Sequence, residues 1–140
     1  MKRYAMKMQV IYIAIIVMIS LVFSGFSGFS SQQSQVTEYR LLIKKIDNVW
    51  RVVHEDDETK SDVTVNRGDR IRWIPEGSDA SFQFDDERLV GHSTRIVRDG
   101  RPLVLAIGRE APKGIHTYAV FMHEDLQFAV GQSPPRLIVN

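Results

Sequence analysis

The chain has 140 residues, a formal charge of +1, four histidines and no cysteine. Without cysteine it has neither a disulfide framework nor the lipidated cysteine of a lipoprotein, and about 100 residues beyond the first 30 suit one domain with one core. All 17 acidic residues but only 15 of the 18 basic ones follow Ser30, so that part carries about −2 and offers no basic face for nucleic acid.

Lys2, Arg3 and Lys7 precede an uncharged apolar run, Met8 to Phe23. This is the pattern of a membrane-directed segment, and the basic flank orients it with everything after Ser31 exported. As a helix the run spans about 24 Å at 1.5 Å per residue, short of the roughly 30 Å hydrocarbon core. Length therefore leaves a cleaved signal peptide and an uncleaved anchor both open. Small residues in Gly25-Phe26-Ser27 and Gly28-Phe29-Ser30 favour cleavage near Ser30. The expected division is a signal peptide or anchor over 1–30, a polar linker over 31–38 and a single domain over 39–140.

Strand-like stretches follow Glu38. "YRLLIKKI" and "VWRVV" flank Asp47-Asn48, a hairpin turn. "DVTV" and "RIRWI" alternate Val63, Val65, Ile71 and Trp73 inward, with Arg70 and Arg72 outward and "NRGD" as the turn between them. "SFQFD" repeats the alternation with Phe82 and Phe84, after which Asp86 to Arg101 reads as a long polar connection. "PLVLAI" places Leu103, Leu105 and Ile107 on one face; "IHTYAVFM" is the longest strand and "RLIV" the last. Past Glu38 there is no helical period of ten residues or more. About eight short strands predict an all-β, antiparallel Greek-key sandwich, with Trp50, Tyr118 and Val120 joining the inward residues above in its core.

Three stretches resemble the cupredoxin pattern of plastocyanin and azurin. They are "VTVNRGDRIRWIPEGSDASFQFDD", the closing strand "GIHTYAV", and "SPPRLIV" as the final strand. The resemblance runs from about Tyr39 to Asn140. In "GIHTYAV", Gly114 takes the glycine position, His116 and Tyr118 the aromatic positions, and Val120 the place of the cysteine. The resemblance implies the fold and argues against its usual cofactor. A blue-copper centre needs two histidines and a thiolate, usually with a weak axial methionine. Here the thiolate position is Val120, the upstream histidine falls near Ala80, and only His123 lands on a ligand position. No cofactor is expected. An altered copper or zinc site would draw on His123 with His92 and His116, and Met122 as a further companion; it would support metal handling or electron transfer with a partner.

Other motifs have plainer readings. Arg67-Gly68-Asp69 matches an adhesion tripeptide but holds turn residues between strands. "GHSTR" lacks the last glycine of a nucleophile elbow, Arg95 standing in its place. The acidic runs Glu55 to Glu58 and Asp85 to Glu87 match no spaced calcium loop and read as solvated loops. With no nucleophile and base at recognisable spacing, no enzyme is expected. The expectation is an exported, periplasmic or membrane-anchored module that binds or scaffolds an envelope protein. Its contact surface is the loops Asp79 to Phe82 and Met122 to Val130, carried by Phe121, Met122, His123, Leu126 and Phe128; the plainer alternative is that these residues close the end of the core.

Overall fold

A computed structural model describes residues 35–131 and 134–140. The segment expected to direct export, 1–30, and the first half of the expected linker lie outside those residues. The chain enters on β1 (Glu38–Ile46), turns through Asp47 and Asn48, and returns on β2 (Val49–His54). Both turn residues have positive φ, 51° and 62°. That is the twist a two-residue hairpin loop requires, and Asp and Asn tolerate it better than most side chains. Next come β3 (Val63–Val65), β4 (Arg70–Pro75) and β5 (Ala80–Phe84). A four-residue helix α1 (Glu87–Val90), β6 (Thr94–Val97), β7 (Leu103–Ala106), β8 (Gly114–Met122), β9 (Gln127–Phe128) and β10 (Arg136–Val139) complete the described chain.

Four strands form one sheet in the order β2-β1-β4-β7. The other runs β3-β10-β8-β5-β6, with β9 beside the end of β8. Most pairs are antiparallel, but β1 pairs β4 and β10 pairs β3 in parallel. The parallel pairs arise because the chain crosses to the other sheet, at β3, before returning as β4, and a parallel neighbour always needs such a crossover. The architecture is an all-β sandwich, as the strand alternation predicts.

The core lies between the sheets. Trp73 of β4 meets Phe82 and Phe84 of β5 and Tyr118 of β8 at ring separations of 5.7, 5.8 and 5.7 Å. All the expected core residues are buried except Leu103, which packs partly buried against the cluster from the edge strand β7. Leu41, Ile43, Val52, Leu89, Met122 and Leu137 join them.

The stretch from Asp86 to Arg101 is more than the polar connection expected. Asp86 caps α1, its carboxylate accepting the Arg88 N–H at 2.9 Å, and Gly91 ends the helix at φ 78°. This one turn buries Leu89, and β6 buries Val97. The helix carbonyls then press on Gly108, whose N–H donates to the Leu89 oxygen at 2.8 Å. A Cβ there would stand 2.3 Å from the Arg88 carbonyl oxygen, a backbone atom that cannot swing aside. Gly108→Ala is therefore expected to cost about 1–3 kcal/mol through forced displacement of α1. Urea unfolding checks this, and an unchanged midpoint would refute the close approach.

Candidate functional site

The positions that matter to the resemblance sit on β5 and β8. Their register sets Ala80 against Met122 and Phe82 against Val120. Ala80, Phe82, Val120 and Met122 are all fully buried, so they face the core. His123 is different. Its Nε2 lies 2.7 Å from the Ser81 hydroxyl, and its ring lies 5.9 Å from Phe121, both on the outer face of the sheet. β8 stays extended through Met122, so residues 120 and 123, three apart, point to opposite faces. The donor set does not fit copper: Val120 and Ala80 offer only aliphatic carbon, and the one imidazole of the set faces away from them.

The other histidines are elsewhere and engaged. His116 shares the inner face of β8 with Tyr118, Val120 and Met122, as the alternation predicts. Its Nε2 lies 2.8 Å from the Pro112 carbonyl, and its Nδ1 is 3.6 Å from Asp85 Oδ1. His92 Nε2 accepts from the Arg95 guanidinium at 2.5 Å. His92 precedes Ser93, whose carbonyl accepts the Phe84 N–H at 2.9 Å. It therefore belongs to the far end of β5 from His123, about 13 Å away at 3.3 Å per strand residue. Among the described residues no three His, Asp or Glu side chains gather as a metal site.

What the β8–β9 end does present is apolar surface. Ile96, Ser81, Phe121 and Phe128 stand directly opposite one another across β6, β5, β8 and β9, in one row on the outer face. Ile96 is 70% exposed, Phe128 62% and Leu126, at the turn between β8 and β9, 73%. Half-buried Phe121 packs edge-on against Phe128 at 5.1 Å. Beside this row, Ala119, Phe128, Val130, Pro134 and Pro135 border an apolar groove of about 370 Å³. Of the residues expected here, Phe121, His123 and Phe128 are brought together and Leu126 stands at the turn. Met122 is removed from the surface, since its side chain is wholly buried opposite Ala80. The segment Asp79 to Phe82 is likewise no loop beyond its first residue but the start of β5. Ile96 was not anticipated. Its β-branched surroundings, "TRIV", were the available signal for a strand.

Ser81 and His123 are spaced as a nucleophile and a base would be. They lie on an open sheet face, however, and the backbone of β5 around Ser81 is engaged in ladders with both β6 and β8. Amide donors for an oxyanion are therefore spent.

The turn is fastened to both sheets. Asp125 Oδ2 accepts from the Lys45 ammonium and from Trp50 Nε1, each at 2.5 Å, and Lys45 lies 5.2 Å from the Trp50 ring centre. The His123 and Glu124 N–H groups donate to the Asp79 carbonyl and the Ser78 hydroxyl, both at 3.0 Å. Val130 exchanges bonds with Trp50 and Val52 at 2.9 Å. Lys45 first, and then Trp50, hold the Asp125 carboxyl below the usual aspartate range. A depressed value means that the stabilising contacts are complete above the free-aspartate pKa and are lost as pH falls through the folded one. Trp50 emission is thus expected to change in acid below the free-aspartate range, and Asp125→Asn to abolish that transition; a transition surviving in the variant would contradict the contact.

The remaining motifs resolve structurally. Asp69 is 4% exposed, and its two oxygens accept the N–H groups of Thr37 at 3.0 Å and Asn66 at 2.8 Å. Arg67 donates to the Ala111 carbonyl. The tripeptide is therefore a packed turn. "GHSTR" runs from a helix end into a strand, the reverse of a nucleophile elbow. In the acidic stretches Glu55 pairs with Arg40, Glu58 with Lys44 and Asp57 with Lys60, while Asp85 accepts the Thr117 N–H.

No family model matches the chain, and no curated protein matches it by sequence. Among solved structures it is similar to an oxidized mutant of amicyanin, with 15% identity and a TM-score of 0.42, over 72% of this chain and 80% of that one. It is also similar to amicyanin from Paracoccus versutus, at 10% identity and TM-score 0.41, over 76% and 83%. A third is Fet3p, a multicopper oxidase that functions in iron import, at 14% identity and TM-score 0.42, over 75% of this chain and 23% of that one.

Proposed function

We propose that the chain is an exported, non-catalytic binding module of the cell envelope, and that its contact surface is the outer face of the larger sheet around Phe121, Leu126 and Phe128. The observation that carries this reading is Leu126. Its φ is 54°, in the left-handed region, and 73% of the residue faces solvent. A leucine there costs about 1–2 kcal/mol relative to an ordinary conformation, and it recovers little by burial within its own chain. Glycine or asparagine would serve the turn better. An exposed, strained leucine beside exposed Phe128 and Ile96 is a feature that a partner would cover. Export is supported by the basic-flanked apolar run from Met8 to Phe23, and this reading holds whether that run is cleaved or retained as a membrane anchor.

A photoreactive residue at position 128 of the full chain, expressed in its own cell envelope, tests the reading. One discrete adduct is expected from position 128 and none from Val104, an exposed position on the smaller sheet. Leu126→Gly should stabilise the fold by about 1 kcal/mol while reducing the adduct. Equal adducts at both positions, or an adduct indifferent to Leu126→Gly, would remove the proposal.

A further inference from the structure

We infer that the open edge of β6 accepts an extended acidic segment of a partner as an added strand. This deepens the reading of the outer face as a contact surface and rests on it through Ile96, the residue that the edge and the face share. Among the described residues β6 is the last strand of its sheet and pairs only with β5. Its far side, from Thr94 to Val97, has no main-chain partner among the described residues. Such an edge is a template for another strand unless something blocks it.

The side chains on and beside this edge select what can add. Ile96 lies on the outer face with Ser81 and Phe121, and Arg95 alternates to the other side, opposite Phe82. Arg98 and Arg101 follow. All three arginines are exposed, and among the described residues none pairs with a carboxylate; Arg95 donates to Nε2 of His92. The nearest carboxylate in sequence, Asp99, accepts the Gly77 N–H at 2.7 Å. The part of the chain after Ser30 carries about −2, so this edge is a local excess of positive charge on an acidic domain. A second copy pairing β6 to β6 would bring like arginines together. An extended segment alternating acidic and apolar residues instead sets its apolar side chains beside Ile96 and its carboxylates beside Arg95, with main-chain bonds supplying the rest.

The test is binding of a fluorescent peptide of alternating glutamate and valine to the full chain in detergent micelles, read by anisotropy. Saturable binding is expected, weakened about tenfold by the double variant Arg95→Glu, Arg98→Glu. It should weaken about tenfold again when alternate peptide amides are N-methylated, since these can no longer donate to the edge. Equal binding of a lysine–valine peptide or of the N-methylated peptide, or no saturable binding, overturns the inference. So does chain dimerisation that the arginine variant strengthens. Leu126→Gly should leave peptide binding within about twofold, so loss of the envelope adduct and loss of the peptide remain distinguishable.

Discussion

Replacing Trp73 with alanine is expected to cost about 3–5 kcal/mol, most or all of the stability of an ordinary small domain. Trp73 is fully buried and is the side chain on which both sheets converge, touching Phe82, Phe84 and Tyr118. Its Nε1–H donates to the Tyr118 hydroxyl at 3.1 Å. Tyr118 is itself buried, and loss of solvent pushes its phenol well above the ordinary range, so it stays a neutral hydroxyl that needs its partner. Alanine would remove the packed ring and also this bond. Phenylalanine would keep most of the ring and lose only the donor, for about 1–3 kcal/mol. Urea unfolding of the two variants separates the terms. A Trp73→Ala midpoint close to wild type would mean that the sheets do not meet there.

Asp69→Ala has the next largest expected effect, about 2–3 kcal/mol. Its carboxylate joins the residues leading into β1, through the Thr37 N–H, to the β3–β4 turn, through the Asn66 N–H, beside the backbone bond from the Arg70 N–H to the Thr37 carbonyl at 2.8 Å. Alanine would take the acceptor from both donors in part-buried bonds, where unmet amides are costly. Asparagine retains one acceptor and should recover about half of the loss. Thermal unfolding measures both. If the two variants melt like wild type, the aspartate is free at the surface and the turn reading fails.

Much of the fold was legible because strands advertise themselves by alternation. Val63 and Val65, Ile71 and Trp73, and Phe82 and Phe84 were placed inward by counting in twos, and the core took them so. Asp47-Asn48 marked a hairpin because few residue pairs accept positive φ twice. What escaped detection was short or long-range. A single turn of helix cannot show a helical period, so α1 and buried Leu89 were read as polar connection. β6 is four residues long with three of them exposed, and without its pairing to β5 it looks like loop.

The site was legible in part for the same reason. Phe121 near the end of the longest strand, and Leu126 and Phe128 after it, stood out as apolar residues. The count from Val120 already turns Met122 inward, and the structure buries it. His123 depended on where β8 stops being extended, which the residues alone did not state: one residue earlier and the imidazole would turn toward Val120. The left-handed φ of Leu126 had no sequence signal at all, because leucine is a poor choice for it.

These features describe an all-β sandwich in which the side chains at the ligand positions of the resemblance, Ala80 and Val120 with His123 turned away from them, do not suit copper. Titration of the full chain with Cu(II), followed by calorimetry and visible absorption, tests that most directly. The expected result is no stoichiometric binding and no intense colour. One copper per chain bound at about micromolar affinity or tighter, lost on His123→Ala, would contradict it.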